Sequence, residues 1–318
     1  MIGDAAGWKA HKVYKSIFMG KDAGASAFKI GSGIGIGVGA LSSSSGAENL
    51  NTSNFMIGIG YGAGKQSVKS QGLIGIGFEA GAFTEEVDQS IYIGSNAGRV
   101  SKTSNNSIMM GVLAGYYATG VKNSVVIGRY AGYYASQDGD GQDVFIGDSA
   151  GYDIESNGRN VAIGTNAARE SKSCSGLTAI GYHAGKNADT VGNGVFIGTS
   201  AGVSAHAAPS AGEVGSSADN IGIGQFSLAY LNYAQACIAL GYRAGYKLGD
   251  HEGAATTQVI NRKNIMVGHA AGAGALGDGN IYIGSDHCGN RVQGDRNLFL
   301  LPLTQAGLTA TTNNALIT

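Results

Sequence analysis

The chain has 318 residues, of which 55 are Gly and only 2 are Pro, and its net charge is -1. Hydrophobic residues supply 43% and charged residues 14%, which excludes a disordered chain (low hydrophobicity, high net charge) and collagen (Gly at every third position, abundant Pro). A charge near zero leaves no electrostatic footprint for nucleic acid or an anionic surface, and no apolar run is long enough for membrane insertion, so neither partner is expected.

At the N-terminus, Met1-Ile2-Gly3-Asp4 has no basic region and no apolar stretch, so no secretory signal is expected there. A phrase then begins and recurs to the end: three apolar residues, a Gly, two variable residues, then Ala-Gly. Ile91-Tyr92-Ile93-Gly94-Ser95-Asn96-Ala97-Gly98 and Val125-Val126-Ile127-Gly128-Arg129-Tyr130-Ala131-Gly132 are examples. Its central Gly falls at Gly3, Gly20, Gly37, Gly60, Gly77, Gly94, Gly111, Gly128, Gly147, Gly164, Gly181, Gly198, Gly224, Gly241, Gly268 and Gly284. Eleven of those fifteen intervals are 17 or 16 residues. A degenerate copy, Asn297-Leu298-Phe299-Leu300-Leu301, follows 17 residues later.

A fixed period over a whole chain predicts a solenoid. Seventeen residues are too few for paired helices, and triplets rich in Ile, Val, Phe and Tyr predict strands. The expected fold is therefore all-β: a parallel β-roll with coils of about 17 residues, spanning residues 1–301, followed by a C-terminal cap or tail at 302–318. The Ala after the Gly recurs in 14 of 16 copies and predicts a narrow corner; the next Gly recurs in 12 of 16 and suits a positive-φ turn.

Strand alternation sets the expected faces. The residues one and three before the Gly are apolar in almost every copy and are expected to fill the coil. The residue two before it then points outward, where a monomer would place polar groups. It is instead apolar: Phe18, Tyr92, Met109, Val126, Phe145, Phe196, Met266, Tyr282 and Phe299 are the large ones. Burial of this stripe against further copies of the chain is the expected remedy, which makes these nine residues the expected subunit interface of a homo-oligomer.

Asn123-Ser124-Val125-Val126-Ile127-Gly128 and Asn160-Val161-Ala162-Ile163-Gly164 resemble the head repeats of trimeric autotransporter adhesins of the YadA-like type, which carry Asn-Ser-Val-Ala-Ile-Gly in coils of similar length. The resemblance spans residues 1–301. It implies a left-handed parallel β-roll and a homotrimer packed around an axis. That family's signal peptide, coiled-coil stalk and membrane-anchor strands have no counterpart in the sequence. The same repeat is found in bacteriophage tail fibres, and Thr309 to Thr318 looks like the tail-fibre segment preceding a self-cleaving chaperone domain. A virion tail fibre that attaches to a host-surface glycan or protein, alongside other virion or fibre proteins, is the expected role. The head of a bacterial cell-surface adhesin is the alternative.

Rival repeat architectures fit less well. The left-handed acyltransferase helix needs three hexapeptides per coil where this chain has one, calcium-binding rolls need serial Gly-Gly-x-Gly-x-Asp, and an ice-binding face needs a Thr column.

Four longer intervals carry insertions: Ser42 to Phe55, Ala135 to Gln142, Val203 to Asp219 and Tyr246 to Lys263. They are either binding loops or tolerated loop growth. Aromatics gather after the Ala-Gly turn of three successive coils, at Tyr116, Tyr117, Tyr133, Tyr134 and Tyr152. They are candidates for glycan or receptor contact, or for packing on one another or on a neighbouring subunit. Asp138, Asp140 and Asp143 are candidate calcium ligands; no other cofactor is expected. Scattered carboxylates give no acid–base pair, so an enzyme is not expected, although a capsule-degrading tailspike would need only two well-placed carboxylates. Cys174, Cys237 and Cys288 have neither disulfide nor zinc spacing and are expected to be small core residues.

Overall fold

The structure is a computed structural model that describes residues 1–45, 55–137, 141–205, 219–231, 234–249, 261–285 and 294–301. Most of the four insertions, Cys288 and the tail at 302–318 lie outside the described residues. The chain forms two compact units, Met1–Arg159 and Asn160–Thr318. Both are all-β and built from the same parallel coils.

In the first unit the sheet runs through Ile17–Met19, Ser32–Ile36, Phe55–Ile59, Leu73–Ile76, Ile91–Ile93, Ile108–Met110, Val125–Ile127 and Val144–Ile146. Pairing is parallel and locked to the repeat: Ile91 lies opposite Ile108, Tyr92 opposite Met109 and Ile93 opposite Met110. The second unit repeats the pattern through Val161–Ile163, Thr178–Ile180, Val195–Ile197, Ile221–Ile223, Ile238–Leu240, Ile265–Val267, Ile281–Gly284 and Leu298–Leu301. The degenerate last copy keeps the register, with Gly284 opposite Leu301.

Each coil turns because selected residues adopt left-handed backbone. The central Gly has a φ near +130°, as at Gly94 (φ 128). A Cβ on Gly94 would sit 2.6 Å from the carbonyl oxygen of Gly111 in the next coil. Close approach between coils and a Gly-only conformation coincide there, which explains why Gly holds the position in all sixteen full copies of the repeat. Further corners are taken by short or polar residues at positive φ, such as Asn96, Thr103 and Asn106 in one coil. The expected narrow corner is present: Ala97, Ala114 and Ala131 are fully buried.

The expected strand faces are reversed. Phe18, Tyr92, Met109, Val126, Phe145 and Phe196 are 0% exposed, Tyr282 1% and Phe299 6%, and Met266 is likewise buried; all nine point into their own coil. They are the core of each unit, not a subunit interface. Their neighbours point outward: Ile17 is 52% exposed, Met19 38% and Ile283 45%.

The reversal follows from packing. The inward column faces the post-Ala Gly: a Cβ on Gly98 would lie 2.8 Å from the Tyr92 ring, and one on Gly151 2.9 Å from Phe145. Where the inward strand residue is itself Gly, another residue fills the gap. Gly35 is followed by Leu41 in the usual Gly position, and Gly222 by Leu228. Interiors need this size compensation, whereas a solvent or partner face does not.

The interior also carries polar side chains at the residue before many of the triplets, although Met56, Leu73 and Leu177 are apolar there. Ser90 Oγ donates to Ser104 O (2.8 Å) and accepts from Ser107 N–H (3.2 Å); Ser107 Oγ donates to Val121 O in the same way. In most coils of the second unit Asn takes the position: Asn220 Nδ2 donates to Ala234 O and its Oδ1 accepts from Cys237 N–H, both at 3.0 Å. These side chains satisfy backbone groups at the corner, where buried amides need partners. Cys237 sits in this same column and Cys174 in a neighbouring interior position, as buried small residues.

Candidate functional site

Two surfaces stand out, and both arise from columns of equivalent residues. The first is the outer face of the strands. In the first unit it is built by Ile57 and Ile59, Ile74 and Ile76, Ile91 and Ile93, Ile108 and Met110, and their counterparts in the other coils. Ile59 is 37% and Met110 36% exposed. The residue after the central Gly widens this face with Tyr61, Phe78 and Val112; the Tyr61 and Phe78 rings stack at 5.2 Å. In the second unit Ile223 is 40% exposed and Leu240 is exposed beside it. Parallel sheets normally have both faces covered. Here one face is covered by the coil interior and the other is a broad apolar surface.

A different side of the coil is polar. Val68, Glu85, Lys102, Thr119 and Ser136 form a line of parallel bridges in the first unit. It carries ion pairs between coils, Lys69–Glu86 at 3.0 Å and Lys102–Glu85 at 3.8 Å. The half-exposed groups of those pairs suit water. Apart from Val68, which is 43% exposed, the line is polar or charged.

The second surface is aromatic, and the structure brings the five expected tyrosines together. Tyr116, Tyr133 and Tyr152 form one column, with parallel rings at 5.3 Å steps. Tyr117 and Tyr134 form a second, also at 5.3 Å. The two columns meet nearly at right angles: Tyr116 and Tyr117 are 4.5 Å apart at 77°, and Tyr133 and Tyr134 4.6 Å apart at 84°. Tyr130 joins from the preceding turn, 5.7 Å from Tyr133. The outer pair, Tyr117 and Tyr134, is about two-fifths exposed and the inner column is half-buried. The backbone sets this spacing, since Tyr117 N–H donates to Tyr133 O and Tyr134 N–H to Tyr152 O.

Sequence reading missed the charged end of this array. Arg99 occupies the column position of Tyr116 one coil earlier. Its Nη1 donates to the Tyr116 hydroxyl and its Nε to Glu79, both at 2.5 Å, and its guanidinium lies 4.7 Å from the Phe83 ring. Arg129 pairs with Asp148 at 2.5 Å beside Tyr130. The 17-residue spacing from Arg99 to Tyr116 was the available signal. Burial and the neighbouring phenols push Tyr133 up to about 12, and contact with Tyr116 raises Tyr117. The Tyr133 and Tyr117 hydroxyls therefore stay protonated at neutral pH, and a phenol hydroxyl can both donate and accept.

Of the expected calcium ligands, Asp138 and Asp140 lie outside the described residues. Asp143 is buried in the interior polar column, where its backbone N–H donates to Ser124 Oγ (3.0 Å). Among the described residues no three His, Cys, Asp or Glu side chains cluster as metal ligands, and no helix is long and apolar enough to cross a membrane. Burial pushes the Cys174 thiol up to about 12 and Cys237 to about 11, which keeps both unreactive.

No protein-family model matches the chain, and no curated protein matches it.

Proposed function

We propose that the chain is a structural attachment protein whose copies associate through the outer strand face, as a left-handed homotrimeric roll in a virion tail fibre that binds a host-surface glycan or protein. One observation carries the reading: a coil whose apolar strand face stays exposed while another side bears ion pairs between coils. An isolated chain with that face in water would aggregate, and closed symmetric association removes the liability. The association reading thus survives the reversal of the strand faces, with Ile59, Ile76, Ile93, Met110 and their equivalents as the contact columns. The threefold symmetry, the hand of the coil and the fibre context are what the YadA-like resemblance implies. Its repeats separate attachment surfaces from the particle, and multiple copies convert weak contacts into avidity.

The test is a mass measurement followed by an adhesion measurement. Light scattering of the full chain is expected at three times the 32.1 kDa protomer, and labelled protein is expected to adhere to host bacteria. A monodisperse monomer refutes the association reading; a trimer that adheres to no host cells refutes attachment.

A further inference from the structure

The tyrosine array has features that the association surface lacks. Six of the chain's 15 tyrosines, Tyr116, Tyr117, Tyr130, Tyr133, Tyr134 and Tyr152, occupy three successive coils. Their rings are held by one another, so little side-chain freedom remains to be lost on binding. The two arginines at the border are internally matched, Arg99 with Glu79 and Arg129 with Asp148. Asp153 continues the Tyr117 and Tyr134 column one coil later, and a carboxylate there disfavours an anionic ligand. The phenols supply hydroxyl groups that donate and accept and ring edges that contact C–H groups, which is the mixed chemistry a neutral sugar presents. The 5.3 Å step between equivalent rings is close to the advance per sugar of an extended β-linked glycan. A helical α-linked glycan does not keep that step in a straight line.

We propose that the array formed by Tyr116, Tyr117, Tyr133, Tyr134 and Tyr152 binds an uncharged, extended β-linked glycan strand lying along the direction in which the coils stack, one sugar per coil. The inference rests on the attachment reading and gives it a ligand class. Tyr117 and Tyr134 are the contact residues, and Arg99 is a positioning residue that holds the Tyr116 hydroxyl. Because the rings of each column pack on one another, the ligand meets a row of phenol edges and hydroxyls rather than a single stacking platform.

The test uses the full chain, with cellohexaose as the extended probe and maltohexaose as the helical one, by titration calorimetry. Cellohexaose is expected to bind at least about tenfold more tightly than maltohexaose, and Y117S/Y134S is expected to lose about tenfold or more of that affinity. Far-UV circular dichroism checks the fold of the variant. Y117F/Y134F keeps the rings and is expected to show an intermediate loss, which isolates the hydroxyls. No cellohexaose binding by the wild-type chain, equal binding of maltohexaose, or unchanged affinity in Y117S/Y134S overturns the inference. A Y117S/Y134S chain that no longer self-associates assigns the array to subunit contact and also overturns it. Host adhesion is measured on the same proteins: wild-type adhesion that Y117S/Y134S retains sinks this inference and leaves attachment standing, whereas absent wild-type adhesion sinks attachment itself.

Discussion

Leu41 fills the space that Gly58 leaves: a Cβ on Gly58 would lie 3.0 Å from Leu41 Cδ2, although the two residues belong to neighbouring coils. Leu41 is fully buried and stands where most coils have a Gly. Truncation to Ala opens a cavity that backbone-locked coils cannot close. Leu41→Ala is expected to destabilise the protein by about 2–5 kcal/mol in chemical denaturation. An effect below about 1 kcal/mol would mean that the interior is not packed by this compensation.

The two strand faces give opposite outcomes for the same substitution. Glu at Ile127 and Ile146, on the outer face, is expected to leave the circular dichroism spectrum intact and to abolish self-association in light scattering. Glu at Val126 and Phe145, both 0% exposed, buries an unpaired charge and is expected to prevent folding. If Val126→Glu folded and merely dissociated, the assignment of faces given above would be wrong.

Cys237 stands where other coils place Ser90, Ser107 and Ser124, and its Sγ lies 3.5 Å from both Gln235 O and Asn261 O. Cys237→Ser is expected to change stability by no more than about 1 kcal/mol, because the hydroxyl inherits a carbonyl acceptor. With the thiols of Cys174 and Cys237 raised to about 12 and about 11 by burial, neither is expected to react with a thiol reagent at pH 8 until denaturant is added. Rapid labelling of the native chain at either site would contradict this.

Asp88 provides a pH test. Burial, with Glu86 adding repulsion, raises its pKa, and the hydrogen bond from Gln71 N–H (3.1 Å) only partly offsets this. A folded value above the unfolded one means that the folded state binds the proton more tightly. The contribution to stability is therefore full below the unfolded value near 3.8 and is lost as pH rises through the raised one. The equivalent residue in the next coil is Asn105, whose Oδ1 accepts from Asp88 N–H. Asp88→Asn keeps an acceptor for Gln71 and is expected to raise the melting temperature at pH 7, with the gain shrinking toward pH 3. A loss of stability at pH 7 would refute the argument.

The repeat, its period and its strand triplets were legible in the sequence because the coil geometry fixes them. Gly94 must approach Gly111, so Gly recurs; Ala97 must fit a corner, so Ala recurs. The phase of the strand was not legible from polarity, because both faces are apolar and alternation alone cannot tell inside from outside. Size was the better guide. Outward positions such as Ile57, Ile74, Ile91 and Ile108 hardly vary, whereas inward ones run from Gly58 and Gly75 to Tyr92 and Met109, with Leu41 and Leu73 making up the difference. The tyrosine cluster was visible as composition. Its perpendicular columns and its Arg99 terminus depend on side-chain geometry that a list of residues does not contain.

The register of Ile74 over Ile91 and of Ile91 over Ile108 makes coils interchangeable. Excising residues 91–107 would seat Ile108 beneath Ile74, with Gly111 beneath Gly77, Ala114 beneath Ala80 and Ser124 beneath Ser90. Length in such a molecule is a modular variable: recombination between repeats can lengthen or shorten the array in whole coils without a new core having to be invented.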